Sequence, residues 1–319
     1  TQSRSSAASD VYKRQGKPYL DEIVFHVIPD AASRAVAFER GDVQVVSAND
    51  IDSVDVARLK KVPGAQFTTQ GWEMFSKLAY VQMNYARPPF DNVKVRQAVM
   101  MAINRKFVVD NIFFGMGKIA TGPVSSTTPF YDGNVPAYPF DIKKARALVK
   151  ESGVDLAKTP VKILSYPYGS AWDRLGEYTR QSLEQLGFKV EIESADAGTW
   201  AKRVSDFDFD LTFSYTSQYG DPALGVSRLY LTRNIVKGSA FVNNQGYRNA
   251  EMDTLWDQAA SSTSAEERQK LYSTIQKQLV HDVANGYLFE MEIPTLYNGK
   301  VHNLIPVSYT HLRAHETDS

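Results

Sequence analysis

The sequence predicts an α/β fold, and three observations support this prediction. Segments with the alternating hydrophobicity of β-strands and segments with helical periodicity follow one another along most of the chain. Residues 161–193 form a strand–helix–strand unit, which implies a parallel strand pair joined by a right-handed crossover. The chain has 319 residues, of which 43% are hydrophobic, so it is long enough to bury a large core and to form about two domains.

Composition excludes several classes of protein. Lysine plus arginine and aspartate plus glutamate number 36 each, and the resulting formal net charge of +0 argues against a nucleic-acid-binding surface. Cysteine is absent, which excludes disulfides, cysteine zinc sites and a thiol nucleophile. No apolar run approaches the ~20 residues that a membrane-spanning helix needs. No cofactor and no metal site are predicted.

The first elements are predicted over residues 16–46, in the order strand, helix, strand. Residues 22–28 are rich in β-formers. Asp30 can cap the helix that follows, and Gly41 ends it. Residues 42–46 then alternate again, as in a strand.

The next strand and helix are predicted between Trp72 and Phe114. A strand ends at Asn84 and is followed by a turn at Pro88-Pro89. Asp91-Asn92 can cap the helix, which is predicted to extend to about Phe114. One face of this helix is apolar and carries Val95, Ala98, Val99 and Ala102.

The second half of the chain continues the alternation. A capping box of Ser264 and Glu267 opens its last helix. Strands are predicted over residues 161–166, 188–193, 211–215 and 288–298, the last broken at Pro294, and helices over residues 141–153, 171–186, 247–260 and 264–282.

Four segments resemble a known family, the extracytoplasmic solute-binding proteins, family 5, of peptide- and nickel-type ATP-binding-cassette importers. They occur in the family's order, and the likeness spans nearly all of residues 16–306. The segments are DAASRAVAFERGDVQVV (residues 30–46), NYARPPFDNVKVRQAVMMAINRKF (84–107), DIKKARALVKESG (141–153) and residues 247–259.

The resemblance implies a type II periplasmic-binding-protein-like fold, in which two lobes close over a ligand. It implies a monomeric binding protein rather than an enzyme, with a small-molecule or peptide ligand and a membrane permease as partners. The protein is expected in the periplasm or another extracytoplasmic location, with a lipid anchor as one alternative. Neither a cofactor nor nucleic acid is expected.

The resemblance also implies that this chain lacks part of the first lobe, with one nearly complete lobe and a remnant of the other. Apolar surface on the remnant is therefore expected to be uncovered. The two terminal segments resemble translated sequencing adaptors and are left out of the fold prediction. The predicted divisions are an adaptor tail (1–15), the remnant and crossover (16–64), the C-terminal ligand-binding lobe (65–285), return strands (286–306) and a second adaptor tail (307–319).

A ligand site is predicted where the strands at residues 161–166 and 211–215 end, because α/β sheets bind ligands beyond the carboxyl ends of their strands. Each strand end is followed by aromatic side chains and a few polar groups, which suit a pocket; packing between strand and helix is the alternative. Trp72 is assigned to core or hinge packing. The candidate ligand-binding residues are Tyr166, Tyr168, Trp172, Tyr215, Gln218, Tyr219 and Asp221.

One departure from the peptide-binding relatives bears on the ligand. In those relatives an aspartate, three residues after a tryptophan, pairs with the α-amine of the peptide, and here Gln218 follows Tyr215 at that spacing. A neutral glutamine loses the charge-assisted bond to an ammonium group. Asp221 lies nearby but suits a turn, and residues 166–170 contain no arginine for a peptide carboxylate. A neutral or polyol-like ligand therefore gains weight over a dipeptide.

Two other functions stay open from the residues alone. A carbohydrate- or peptide-active hydrolase could use Asp206, Asp208 or Asp221, since paired carboxylates serve glycosidases. A sensor or chaperone-like binding module without a transporter is the other. His311 and His315 have the spacing of a zinc-binding pair, but they lie in the suspected adaptor tail.

Overall fold

The structure is a computed structural model that describes residues 20–47 and 50–304. The adaptor tails predicted for residues 1–15 and 307–319, and with them the histidine pair, lie outside the described residues. The nine strands found in the described part are β1 (Val45–Ser47), β2 (Ala65–Thr68), β3 (Leu78–Met83), β4 (Gly117–Ile119), β5 (Val161–Leu164), β6 (Val190–Glu193), β7 (Leu211–Thr216), β8 (Gly286–Met291) and β9 (Thr295–Asn298).

The strands form two sheets. The larger has the order β4-β8-β3-β7-β5-β6, and the smaller has the order β1-β9-β2. β5 is parallel to both β6 and β7, which confirms the predicted parallel pair. β3 is antiparallel to β7, with Leu78 opposite Thr216. The carboxyl ends of β5 and β7 therefore lie at the same sheet edge as the amino end of β3.

Ten α-helices are assigned in the described residues, and short 3-10 and π-helical turns connect some of them. The helices are α1 (Ala31–Arg40), α2 (Ser53–Leu59), α3 (Val93–Ala102), α4 (Arg105–Phe107), α5 (Ile142–Ser152), α6 (Ser170–Glu184), α7 (Ala197–Ser205), α8 (Pro222–Gly225), α9 (Ala250–Ser261) and α10 (Ala265–Asp282).

Side-chain caps begin several helices at the residues that the sequence indicated. Asp30 accepts a hydrogen bond from the amide of Ser33, and Gly41 ends α1 with a φ of 79°. Asp141 accepts from the amide of Lys144 at the start of α5. The Ser264 side chain accepts from the amide of Glu267, which confirms the amino end of α10.

Two predicted elements were wrong. The helix expected to reach Phe114 ends at Ala102, because Ile103 is extended and Asn104 caps a new helical turn. No strand forms over residues 22–28, which have no partner strand in either sheet. The predicted break at Pro294 separates two strands, of which β8 lies in the larger sheet and β9 in the smaller.

The larger sheet is covered on both faces. Every residue of β3 is buried, and its side chains alternate between two apolar clusters. Val81 belongs to the cluster that includes α3 and α6, whereas Tyr80 belongs to the cluster that includes α9 and α10. A sheet buried on both faces explains why this strand lacks an apolar–polar alternation.

The smaller sheet has its own apolar cluster, formed with α1 and α2. Two chain segments join it to the larger sheet, residues 69–77 between β2 and β3 and residues 292–294 between β8 and β9. Next to it, Phe25 is 88% exposed and Val27 is 93% exposed. These exposed apolar side chains lie in the described part of residues 16–64, where uncovered apolar surface is expected, and the assignment of this segment to a remnant of the first lobe stays a prediction. The domain divisions stay a prediction.

Candidate functional site

An aromatic cleft lies at the edge of the larger sheet where β5 and β7 end and β3 begins. Its volume is about 390 Å³. It is lined by Trp72, Phe75, Lys77, Tyr166, Tyr168, Tyr215, Ser217, Tyr219, Arg228 and Phe241. From this point we call it the strand-end cleft. Its size and its mixture of aromatic and polar groups are those of a small-molecule site.

The residues after β5 form one wall of the cleft. The chain turns sharply there, with the amide of Tyr168 donating to the carbonyl of Tyr166 over 2.9 Å, and Gly169 adopts a φ of 105° before α6 begins. This turn leaves the Tyr168 side chain 41% exposed while Tyr166 is only 2% exposed. The two rings are in contact, with centroids 4.6 Å apart. In this wall, Tyr166 is therefore the buried residue and Tyr168 the exposed one.

Tyr166 is held within a stack of aromatic rings. Its centroid lies 4.7 Å from that of Trp172 and 4.9 Å from that of Trp200. Burial, followed by the neighbouring Tyr215, raises the pKa of Tyr166 well above its ordinary value, so the phenol stays neutral. Trp172 is only 4% exposed and lies behind the cleft surface, where it also contacts Phe113. Trp172 thus supports the wall rather than lining it.

The opposite wall comes from the segments before β3 and after β7. Phe75 contacts both Trp72, at 5.7 Å between centroids, and Tyr219, at 6.0 Å. Tyr219 has a φ of 53° and Gly220 a φ of 74°. A tyrosine in the left-handed region is conformationally costly, and such residues are often held in place at binding sites. In this backbone conformation the Tyr219 ring lines the cleft and is 37% exposed.

Two cationic side chains line the strand-end cleft. The Lys77 ammonium lies 4.7 Å from the ring centroid of Tyr215. The Arg228 guanidinium lies 5.8 Å from that of Tyr219 and donates to Thr216 Oγ1 over 3.3 Å. Both side chains are half-buried. The cleft consequently presents positive charge next to aromatic faces.

Gln218 does not line the strand-end cleft. It is fully buried, its side chain accepts from the amide of Ser125 over 3.1 Å, and it donates to the carbonyl of Pro123 over 2.9 Å. Its own amide donates to the carbonyl of Phe75 over 2.7 Å. The side chain thus connects the loop after β7 to the loop at residues 123–125, and the backbone amide connects it to the segment before β3. A ligand contact by Gln218 stays a prediction.

Asp221 does not line the strand-end cleft either. Its carboxylate accepts from the amide of Ala223 over 2.8 Å at the start of α8. It also forms an ion pair with Arg268 on α10, with 2.7 Å between Oδ2 and Nη2. These contacts match the turn role that the sequence favoured for this aspartate, and its ligand role also stays a prediction.

The structure brings together Tyr166, Tyr168, Tyr215 and Tyr219, as expected from the two strand ends. Sequence reasoning missed the segment before β3, which contributes Phe75 and Lys77. Trp72 also lines the cleft, and its Nε1 donates to Thr295 Oγ1 of the smaller sheet over 3.2 Å. Phe75 and Lys77 can be assigned to the cleft only when β3 is known to lie antiparallel beside β7. This pairing places the amino end of β3 at the same sheet edge as the carboxyl end of β7.

The three alternating aspartates lie away from the cleft. Asp208 pairs with Arg203, with 3.1 Å between Oδ2 and Nε, and Asp210 accepts from the amide of Lys162 at the start of β5. Asp206 pairs with Lys202 at the end of α7. Among the carboxylates of the hydrolase hypothesis, Asp208 therefore lies near the amino end of β7, Asp206 at the end of α7 and Asp221 in the α8 turn. None of them lines the strand-end cleft.

The larger sheet is covered on both faces and has an aromatic hollow at its strand ends, and the smaller sheet is joined to it by two segments. This arrangement is typical of α/β proteins that bind a ligand at their strand ends. The profile of the bacterial extracellular solute-binding proteins, family 5 (middle region), matches residues 4–237. The chain therefore belongs to this family, as the resemblance predicted. Members of the family are solute-binding proteins, not enzymes.

Curated relatives support the same assignment. The chain is 29% identical over 277 residues to heme-binding protein A of Haemophilus influenzae, covering 85% of this chain and 48% of that protein. It is 25% identical over 291 residues to the probable D,D-dipeptide-binding periplasmic protein DdpA of Escherichia coli, covering 91% and 54%. The chain thus spans about half the length of the curated relatives it matches. No relative supports the hydrolase hypothesis.

Solved structures share the fold. The periplasmic binding protein DppA of Helicobacter pylori, in complex with the peptide STSA, matches with a TM-score of 0.80 at 22% identity, covering 90% of this chain and 54% of that one. The substrate-binding protein CtaP of Listeria monocytogenes matches with a TM-score of 0.79 at 22% identity, covering 89% and 56%. The type II periplasmic-binding-protein-like fold is therefore confirmed.

Proposed function

We propose that the protein is the solute-binding component of an ATP-binding-cassette importer. It captures a small peptide or another small polar ligand and delivers it to a membrane permease. The observation that carries this proposal is the strand-end cleft, where the exposed rings of Tyr168 and Tyr219 face a hollow that also contains polar groups. Relatives named for peptide and heme binding support it.

Hinge closure is the mechanism that the connections between the two sheets support. Only residues 69–77 and 292–294 pass from one sheet to the other in the described part of the chain. Trp72, in the first of these segments, donates a hydrogen bond to Thr295 of the smaller sheet. Ser170 of α6 donates to the Asp52 carboxylate, just before α2, over 2.9 Å. A ligand that contacts both sides favours the closed arrangement by its differential affinity for it.

The proposed place of action is outside the cytoplasmic membrane. The family is extracellular by description, and DdpA is named as periplasmic. No helix of the described residues combines the length and the apolar content of a membrane span. The protein acts as a monomer, in the periplasm or held to the membrane by a lipid.

A thermal-shift screen of the 319-residue chain tests the proposal. Dipeptides, oligosaccharides and nickel complexes form the panel, since bound ligand stabilises the folded state by mass action. A ligand of this cleft raises Tm by about 2–4 °C for each kcal/mol by which it stabilises the folded state at the ligand concentration used.

The double variant Tyr168→Ala/Tyr219→Ala is expected to abolish the shift. Phe140→Ala is the matched control, because Phe140 is 50% exposed and does not line the cleft. A shift that survives in the double variant would refute the site. Turnover of any panel compound by the chain would refute the binding-protein function.

A further inference from the structure

The charged side chains that line the strand-end cleft are all positive. Lys77 and Arg228 line it, and none of the described lining residues is an aspartate or a glutamate. Within residues 20–47 and 50–304, neither cation forms an ion pair. Elsewhere on this protein, arginines are commonly paired, as Arg268 is with Asp221 and Arg233 with Asp257.

Half-buried cations without a carboxylate partner indicate the charge of the ligand that the cleft can bind. Partial burial removes water from a charged group, and this cost is recovered only when an opposite charge or hydrogen-bond acceptors replace the water. Carboxylate and phosphoryl oxygens form the strong charge-assisted bonds that ammonium and guanidinium groups favour. The neighbouring rings of Tyr215 and Tyr219 lower the local polarity, which strengthens such bonds.

We propose that the cleft selects an anionic ligand, whose carboxylate or phosphoryl group is held by Lys77 and Arg228 and whose ring or apolar part stacks on Tyr168 and Tyr219. This inference rests on the proposed function, since it names the ligand class of the same site. A free ammonium group on the ligand has no acidic partner among the described lining residues. The selected class is therefore an N-blocked or amine-free carboxylate or a phosphate monoester, in place of a neutral polyol.

A matched series of probes tests the charge preference directly. N-acetyl-phenylalanine carries one negative charge, its amide is neutral, and phenylalanine amide is a cation, while all three share the same ring. Phenyl phosphate distinguishes a phosphoryl preference from a carboxylate preference. Tryptophan fluorescence reports binding, because Trp72 is half-buried at the cleft whereas the other three tryptophans are buried.

The inference predicts that an anionic probe binds at least about tenfold more tightly than the neutral amide, and that the cationic probe binds most weakly. Lys77→Gln and Arg228→Gln each weaken the anionic probe by about tenfold and leave the neutral probe unchanged. Lys77→Gln is the cleaner variant, since Arg228 also donates to Thr216 and to the carbonyl of Gly225. Lys270→Gln and Arg233→Gln, exposed cations on other elements, serve as controls.

The outcomes separate this inference from the proposed function. If the neutral probe binds as tightly as the anions and its binding is lost in Tyr219→Ala, the cleft is a ligand site and the charge preference is overturned. If the anionic probes bind equally well to wild type and Lys77→Gln, the inference is also overturned. If no probe binds at millimolar concentration and no compound of the thermal-shift panel binds either, both the inference and the proposed function fail.

Discussion

Among single residues, exposure separates the aromatic side chains that line the strand-end cleft from the side chains that lie behind it. Tyr168 and Tyr219 present their rings at the cleft, while Trp172 and Gln218 are buried. The side-chain amide of Gln218 is satisfied by the backbone of Ser125 and Pro123. These contacts support a structural role for Gln218, which a stability measurement can test.

Gln218→Ala is expected to lower the free energy of unfolding by about 1–3 kcal/mol, because it leaves the amide of Ser125 and the carbonyl of Pro123 buried without their partner. Urea unfolding followed by circular dichroism measures this change. Gln269→Ala, at an exposed position, is the control and changes stability by less than about 0.5 kcal/mol. Unchanged stability together with lost ligand binding would instead make Gln218 a ligand contact.

Local sequence predicted part of the site and could not predict the rest. Tyr166 and Tyr215 were found because each ends a recognisable strand, and parallel strands end at one edge. Lys77 could not be found in this way, since its position depends on β3 lying antiparallel beside β7. That neighbour relation is set by packing between segments more than a hundred residues apart in sequence, which local patterns do not report.

At the scale of elements, the short helix α8 positions the loop after β7. Gly225 lies directly against the backbone of Ser217 and Gln218, so that a Cβ at this position would overlap the Ser217 carbonyl oxygen. Close approach, rather than a special backbone angle, is therefore the reason for glycine here. The contact fixes the distance between α8 and the wall that carries Tyr219.

Gly225→Ala is expected to displace this loop, lowering the free energy of unfolding by about 1–3 kcal/mol and weakening any ligand of the cleft. Gly176→Ala is the matched control, since its Cβ would lie 3.6 Å from Ser165 Oγ, an ordinary contact, within α6. The control is neutral or slightly stabilising, because alanine favours a helix. Urea unfolding and fluorescence titration measure both variants, and equal behaviour of the two would contradict the account of α8.

For helices and strands, the sequence predicts the type of an element better than the residues at which it begins and ends. The caps of α1, α5 and α10 were recognisable because Asp30, Asp141 and Ser264 act within three residues along the chain. The end of α3 was missed because continued helical periodicity concealed an extended residue at Ile103. The strand predicted over residues 22–28 failed for a different reason: its residues favour a strand, but a strand forms only where a partner edge exists.

At the scale of the whole molecule, buried phenols make the fold sensitive to alkali. Burial raises the pKa of Tyr80 to about 12, and it also raises the pKa of Tyr230 and Tyr287, which lie in the same apolar cluster. The folded state therefore keeps these phenols neutral at a pH where an unfolded chain, with tyrosine pKa values of about 10, releases their protons.

The pKa values of these phenols are raised in the folded state. The contribution of the phenols to the free energy of unfolding is therefore complete below pH ~10 and is lost as the pH rises toward 12. Urea midpoints measured between pH ~8 and ~11 are expected to fall above pH ~10, and Tyr80→Phe is expected to reduce that fall. Absorbance at 295 nm should show the buried phenols ionising together with unfolding. Full ionisation of the tyrosines near pH ~10 with an intact circular dichroism spectrum would contradict this prediction.

Across the described part of the chain, the larger sheet is covered on both faces, the smaller sheet has its own apolar cluster, and apolar side chains at residues 20–27 are exposed. The strand-end cleft lies at the ends of β5 and β7 and next to residues 69–77, which join the two sheets. The opposite sheet edge offers a second hollow of about 890 Å³, lined largely by polar and charged residues such as Arg203, Asp208 and Asp210. The strand-end cleft is lined mostly by aromatic residues, so the two hollows suit ligands of different chemistry.

A crystal structure of the chain with the compound that gives the largest thermal shift would show where the ligand binds. We expect electron density for the compound at the strand-end cleft, in contact with the rings of Tyr168 and Tyr219 and within hydrogen-bond distance of Lys77 or Arg228. Density for the compound at the opposite sheet edge, against Arg203 and Asp208, with the strand-end cleft vacant, would contradict this expectation.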